Sequence, residues 1–158
     1  MSDVTLRPVE DSDLDVFYGH YQDPVASQMA AFIAGDPADR GAFDEKWQRI
    51  RSNEEITVRT ILCDGEIAGH IASFVMDGDL EVTYWVDRSM WGKGVATAAL
   101  AQLLDLVPQR PIHGRAAKDN LGSVRVLEKC GFARMGEERG FANARGEEID
   151  EVVYRRDA

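Results

Sequence analysis

Apolar and polar residues alternate in the middle of the chain, and this alternation predicts neighbouring strands. One face of the first such segment carries Ile56, Val58, Thr60 and Leu62. Asp-Gly pairs follow at 64–65 and 77–78, and this dipeptide favours two-residue hairpin turns. We therefore expect an antiparallel meander over 56–87. Its second and third strands are expected at 66–76 and 80–86.

Apolar residues at helical spacing predict helices on both sides of this meander. Before it, a first helix is expected to end at Pro24 and another to cover 38–52, with helix and loop between them. After it, one helix is expected over 94–107. Another begins at its cap Asn120 and ends at Gly131, where glycine suits a left-handed C-cap.

Short apolar segments add strands at 4–9, 112–117 and 149–154, and a strand that begins at Phe132. The resulting order is β-α-α-β-β-β-α-β-α-β-β, which predicts an α/β fold with a mixed sheet and helices packed on it. Neither a repeat nor a linker interrupts the pattern, so 1–158 is expected to form a single domain.

The charge and composition of the chain limit the classes of partner that it is expected to bind. The 158 residues carry a formal net charge of -10, which argues against nucleic acid as the main partner. The acidity suits a cationic partner such as an amine, or it serves solubility alone. The sequence shows neither an apolar run of about 18 residues nor a signal peptide, so we expect no membrane span and a cytoplasmic location. Cys63 and Cys130 are expected to be buried thiols.

A glycine-rich loop joins the third meander strand to the next helix. Its sequence from Trp91 to Thr97 is Trp-Gly-Lys-Gly-Val-Ala-Thr. Gly92 and Gly94 allow a tight turn and a close approach to a ligand. The first N–H groups of the helix have no partners within the helix and favour an anion such as pyrophosphate. A simple turn between strand and helix is the alternative.

Two segments resemble the GNAT superfamily of N-acetyltransferases. Residues 91–96 are similar to the family loop Gln/Arg-x-x-Gly-x-Gly/Ala, although Trp91 departs from the usual first residue. Residues 120–132 resemble the Asn-x-x-Ser…Glu-Lys-x-Gly-Phe block of the branch that includes the RimJ and RimL type N-terminal acetyltransferases. The opening segment 6–13 also resembles this branch, so the likeness covers essentially the whole chain.

This resemblance implies a GNAT fold and acetyl-CoA as co-substrate. In that fold the fourth and fifth strands splay apart and hold the pantetheine arm, the glycine loop holds the pyrophosphate, and Asn120 contacts the CoA arm or only caps its helix. The residues then expected to bind acetyl-CoA are Tyr84, Trp85, Val86, Gly92, Lys93, Gly94, Val95, Ala96, Thr97, Asn120 and Ser123. The acceptor would be a primary amine, either a protein N-terminus or a small amine.

Acetylation of an amine requires removal of a proton, because an unperturbed lysine amine is neutral only about 0.04% of the time at pH 7. Glu81 is the expected base, and Glu137 and Glu138 are alternatives. Ser123 is the expected acid for the leaving thiolate, since many relatives carry a tyrosine at the position of Leu127. Glu81 could instead be a glutamate at the sheet rim, and Ser123 a residue that bonds only to nearby backbone.

Other residues have structural as well as functional interpretations. His70, His113 and His20 are expected to be structural or exposed, and the His, Cys and Asp residues lack metal-ligand spacing, so no metal is expected. The aromatic residues of the N-terminal helices form core or wall the acceptor site: Tyr18, Tyr21, Phe32, Phe43 and Trp47. An acidic cluster attracts a cationic acceptor or is a solvated edge: Glu147, Glu148, Asp150 and Glu151. The sequence does not decide whether the chain forms a homodimer. A non-catalytic acyl-CoA sensor is the alternative to an enzyme.

Overall fold

The computed structural model describes residues 3–33 and 35–158, which build a seven-stranded sheet in the order β1-β2-β3-β4-β5-β7-β6. The strands are β1 (Val4–Arg7), β2 (Thr57–Cys63), β3 (Glu66–Met76), β4 (Asp79–Val86), β5 (Ile112–Ala117), β6 (Ala133–Ala142) and β7 (Glu147–Arg156). The helices are α1 (Asp13–Tyr21), α2 (Pro24–Ala30), α3 (Arg40–Ser52), α4 (Val95–Leu106) and α5 (Leu121–Lys129). The mixed α/β fold predicted from the pattern is confirmed.

The hairpin turns of the meander form as expected. Asp64 and Gly65, and likewise Asp77 and Gly78, all have positive φ angles, as a two-residue turn between twisted strands requires. The first helix ends before Pro24 as expected, since α1 stops at Tyr21, and Pro24 also begins α2. Proline suits the first position of a helix, where no N–H is needed, and Asp23 caps the same turn.

The central strands β4 and β5 run parallel, but they pair over only a short stretch. Their register joins Leu80 to Ile112 and Val82 to Gly114, and among the described residues no pairing continues beyond Gly114. The sheet therefore opens between the carboxyl ends of these two strands. The other neighbouring strands pair antiparallel, so the sheet is mostly antiparallel.

Helices cover the two faces of the sheet. On one face, here the α4–α5 face, Leu100 and Leu103 of α4 and Leu127 of α5 belong to the main core cluster. On the other, the α1–α3 face, Phe17 and Trp47 pack together with ring centroids 5.1 Å apart. Both faces of the central strands thus carry packed helices, although Thr83 of β4 stays exposed.

Alternation along β4 sends neighbouring side chains to opposite faces. Val82, Tyr84 and Val86 pack into the cluster on the α4–α5 face. Trp85 lies on the α1–α3 face, where its ring stacks edge-on against Tyr21 at 4.8 Å. Within residues 3–33 and 35–158, no helix is both long and apolar enough to span a membrane.

Candidate active site

A cavity of about 870 Å³ lies where β4 and β5 separate. Its walls include Tyr84 and Ser123 from the α4–α5 face and Glu81 and Trp85 from the α1–α3 face. Because residues of both faces line one space, the cavity reaches through the opening of the sheet. Two molecules could therefore meet there from opposite sides.

The glycine turn lies beside this cavity. Gly92 and Gly94 have φ angles of 78° and 75°, so both adopt the left-handed conformation that the loop requires. Gly94 is the N-cap of α4 and has no side chain to occupy the first N–H groups of the helix. The indole nitrogen of Trp91 donates a hydrogen bond of 2.9 Å to the carbonyl oxygen of Val86, which ties the turn to the end of β4.

The structure brings together most of the residues expected to bind acetyl-CoA. Those that line the cavity are Tyr84, Trp85, Val86, Gly92, Ala96, Asn120 and Ser123. Lys93, Gly94, Val95 and Thr97 belong to the turn and the first turn of α4 without lining the cavity. Val95 is 1% exposed, so its side chain belongs to the core and only its backbone could meet a ligand.

Ser123 makes a hydrogen bond that the sequence did not indicate. Its hydroxyl lies 2.7 Å from the hydroxyl of Tyr84, across the α4–α5 face. The side chain of Asn120 accepts a 3.2 Å bond from the Ser123 N–H, which confirms the cap and fixes the start of α5. Burial raises the pKa of Tyr84 to about 12, and the Ser123 bond partly opposes this rise.

Glu81 lies on the other side of the opening and is only 2% exposed. Both of its carboxylate oxygens lie 3.3 Å from Nε of Arg115 on β5. The same guanidinium bonds Glu138 and lies 3.4 Å from Glu151. One cation thus serves three carboxylates, and the group keeps an excess of negative charge.

Glu151 is a further candidate site residue, which the sequence pattern placed only within an acidic cluster. It lines the cavity, and burial raises the pKa of its carboxyl while Arg115 opposes the rise. Glu138 and Glu151 face each other in the β6–β7 register, where two like charges would repel without Arg115 between them. This register depends on pairing between distant strands, so alternation within β7 alone could not have indicated it.

The other acidic candidates lie outside the cavity. Glu137 pairs with Lys118 at 2.8 Å and with Arg134 at 3.1 Å. Glu148 and Asp150 both pair with Arg139. Of the cluster at 147–151, Glu151 alone lines the cavity among the described residues.

Aromatic residues form the wall of the cavity on the α1–α3 face. Tyr21 and Trp47 line the cavity and also pack in the core on this face. These two residues therefore belong both to the core and to the cavity wall. Phe32 lines the cavity too, whereas Tyr18 and Phe43 are outside it.

His70 lies in this wall and is 7% exposed. Burial, helped by the charges of Lys46 and His20, lowers the pKa of His70 to about 3, so its imidazole is neutral. Its Nε2 lies 3.2 Å from the Tyr21 hydroxyl. His113 instead bonds the Leu80 carbonyl and does not line the cavity.

The splayed strands, the glycine turn and the cavity that joins them define an acetyltransferase domain. Residues 3–133 match the family model described as "Acetyltransferase (GNAT) domain", and the chain belongs to this family. The expected GNAT fold is thereby confirmed.

Known proteins agree with this assignment. The chain is 24% identical over 161 residues to "Uncharacterized N-acetyltransferase p20" of Bacillus licheniformis, which covers 96% of this chain and 90% of that protein. It superposes on RimL, a ribosomal alpha-N-protein acetyltransferase in complex with coenzyme A, with a TM-score of 0.82, 18% identity and coverage of 98% and 93%. The microcin C7 self-immunity acetyltransferase MccE, in complex with acetyl-CoA and AMP, gives a TM-score of 0.78, 20% identity and coverage of 99% and 93%.

Proposed function

We propose that this protein is an acetyl-CoA-dependent N-acetyltransferase that moves the acetyl group directly to a primary amine. The observation that carries the proposal is the cavity between β4 and β5, which has hydroxyl groups on one face of the sheet and carboxylates on the other. Such a cavity lets the donor thioester and the amine approach from opposite faces and react in its middle.

The donor fits the α4–α5 side of this opening. N–H groups of 92–97 suit the pyrophosphate, because they lie at the positive end of α4. The edge of β4 from Tyr84 to Val86 has no neighbouring strand on the β5 side within the described residues, so the pantetheine amides can pair with it as a strand would. An N–H of that edge would also stabilise the oxyanion formed at the thioester carbonyl.

The acceptor fits the α1–α3 side. The excess negative charge around Arg115 attracts an ammonium ion, and Glu81 accepts a proton from it directly or through water. Although Arg115 holds both oxygens of Glu81, a carboxylate offers about four lone-pair sites, so acceptor capacity remains. The neutral amine attacks the thioester carbonyl, the C–S bond breaks, and Ser123 provides a proton to the thiolate.

We place the protein in the RimJ/RimL-like branch, with either a protein N-terminus or a small amine as acceptor. The block at 120–132 and the structural likeness to RimL support this branch. We also propose a cytoplasmic location, and a homodimer is the assembly to be tested.

Mass spectrometry of acetyl transfer tests the proposal. The protein is incubated with acetyl-CoA and a panel of a Ser-initiated peptide, spermidine, kanamycin and free amino acids. We expect acetylation of one acceptor class. Tight acetyl-CoA binding without transfer to any amine would instead support the non-catalytic sensor.

The role of Glu81 is tested with the Glu81→Gln variant, and Glu137→Gln is its matched control. We expect Glu81→Gln to lower the transfer rate at least about 100-fold, most strongly at low pH, where the unassisted amine is most protonated. Glu137→Gln should behave as wild type, because Glu137 pairs with Lys118 outside the cavity. A normal pH profile for Glu81→Gln would move the base to Glu138 or a water chain, and a rate loss in Glu137→Gln would move it to Glu137.

A further inference from the structure

The hydroxyls of Tyr84 and Ser123 form a contact that the proposed reaction leaves without a role. They lie 2.7 Å apart, they both line the cavity, and they lie on the face opposite Glu81. We propose that Tyr84 and Ser123 form a two-hydroxyl relay, in which Tyr84 orients Ser123 and replaces the proton that Ser123 gives to the leaving thiolate. This inference rests on the proposed N-acetyltransferase activity.

The geometry places the pair at the opening of the sheet, where the proposed reaction releases the thiolate. Tyr84 belongs to the part of β4 beyond the last pairing with β5, which is where the sheet is open. Ser123 is held at the start of α5 by its bond to Asn120, so its hydroxyl faces the same opening. Leu127, seven residues after Asn120, is 1% exposed and packs in the core without a hydroxyl. The phenol at this opening therefore comes from Tyr84 on β4 and not from a tyrosine on α5.

Acidity explains why Ser123 needs a partner. A free thiol has a pKa of about 8.5 and a free phenol about 10, whereas water, which an alkyl hydroxyl resembles, has about 15.7. A serine alone is thus a poor proton source for a thiolate. Burial raises the pKa of Tyr84 to about 12, which still leaves the phenol much more acidic than an alkyl hydroxyl. The Tyr84 phenol is therefore better suited than the Ser123 hydroxyl to be the source of the proton that reaches the thiolate.

The relay balances within the proposed reaction. As the C–S bond breaks, the Ser123 hydroxyl proton moves to sulfur and the Tyr84 hydroxyl proton moves to Ser123 Oγ. On the α1–α3 face the ammonium has meanwhile lost two protons, one on becoming the neutral amine and one after its attack on the carbonyl. One of these protons is released to solvent and the other returns to the Tyr84 phenolate through solvent, which leaves an amide, a free thiol and the enzyme as it began.

Four variants of the 158-residue chain test this relay: Tyr84→Phe, Ser123→Ala, the double variant and Tyr154→Phe as the matched control. Tyr154 is a buried tyrosine whose hydroxyl donates to Glu128 at 3.1 Å, and it does not line the cavity. Each variant is compared by its single-turnover rate with the acceptor that wild type acetylates fastest, its acetyl-CoA dissociation constant and its thermal melting.

We expect Tyr84→Phe and Ser123→Ala each to lower the rate at least about 10-fold, with acetyl-CoA affinity changed less than about 3-fold. The double variant should be no slower than the slower single variant, because both residues serve one proton path. A Tyr84→Phe rate within twofold of Tyr154→Phe, or losses that multiply in the double variant, would overturn the relay.

A fluorinated tyrosine separates proton transfer from packing. Incorporation of 3-fluorotyrosine at position 84 keeps the hydroxyl and makes it more acidic, so it should restore the rate and move the alkaline limb of the pH profile to lower pH. An alkaline limb that stays in place would reduce Tyr84 to a packing residue and contradict the relay. If wild type acetylates nothing in the panel, the proposed function itself fails, and the relay with it.

Discussion

Gly94 is a single residue on which binding of the proposed donor is expected to depend. Its φ angle is 75°, yet a Cβ added there would meet no atom within 4 Å. A substitution would therefore act through backbone strain of about 1–2 kcal/mol and not through a clash. We expect Gly94→Val to abolish acetyl-CoA binding while the fold survives, because the strain is relieved by turning the first N–H groups of α4 away from the pyrophosphate.

Isothermal titration with acetyl-CoA and far-UV circular dichroism check this prediction. Gly65→Val is the matched control, since Gly65 has a φ angle of 85°, equally open surroundings and a place in the β2–β3 turn. It should lose similar stability and keep its affinity. Unchanged affinity in Gly94→Val would remove the glycine turn from the donor site.

At the scale of elements, β5 and α5 meet through Gly114. A Cβ at this position would lie 2.5 Å from a terminal methyl carbon of Leu127, so a larger residue must push the helix or the leucine. We expect Gly114→Ala to destabilise the protein by about 1–3 kcal/mol, and Leu127→Ala by about 2–5 kcal/mol. The double variant should lose less free energy of unfolding than the two single variants lose in sum, because the new methyl group occupies space that the leucine leaves.

Urea unfolding of the single and double variants measures this coupling. Gly136→Ala is the control, because a Cβ on Gly136 of β6 meets no atom within 4 Å. Additive losses in the double variant would show that α5 moves away from β5 as a whole. Ser123 would then be displaced together with the helix.

The same scale shows what the sequence could predict. The bounds of β3 and β5 agree with the expected 66–76 and 112–117, because turns and alternation are local signals. Pro24 marked the end of α1 correctly, but its second role as the start of α2 was not predicted, because a proline suits both the end of one helix and the start of the next. The position of Glu81 and Ser123 at the cavity could be anticipated from the strand and helix that carry them, whereas their proposed roles stay predictions. Their partners Arg115 and Tyr84 depend on how distant elements pack, which no local pattern encodes.

At the scale of the whole molecule, Asp13 joins the first helix to the sheet. Its carboxylate, 1% exposed, accepts hydrogen bonds from Arg7 of β1, from Thr60 of β2 and from the Glu10 N–H. Burial alone would raise the pKa of Asp13, but these bonds and the charge of Arg7 outweigh it and lower the pKa to about 2. A protein with a net charge of -10 therefore keeps one carboxylate ionised in its interior.

This pKa predicts a particular acid sensitivity. Because the folded pKa lies below the ordinary value of about 3.9, the ionised Asp13 stabilises the fold above pH 4 or so, by about 2 kcal/mol, and this contribution is lost as the pH falls toward 2. The free energy of unfolding of wild type should thus exceed that of Asp13→Asn by a constant amount between pH 5 and 7. The difference should shrink as the pH falls below about 4.

Urea unfolding at a series of pH values measures this difference. Asp15→Asn is the control on the same helix, because Asp15 is 78% exposed and its ion pair with Arg40 lies at the surface, where such pairs contribute about 0–1 kcal/mol. That variant should follow wild type at every pH. If the difference between wild type and Asp13→Asn stayed constant from pH 7 to pH 2, the attachment of α1 to the sheet would rest on the shape of the carboxyl group and not on its charge.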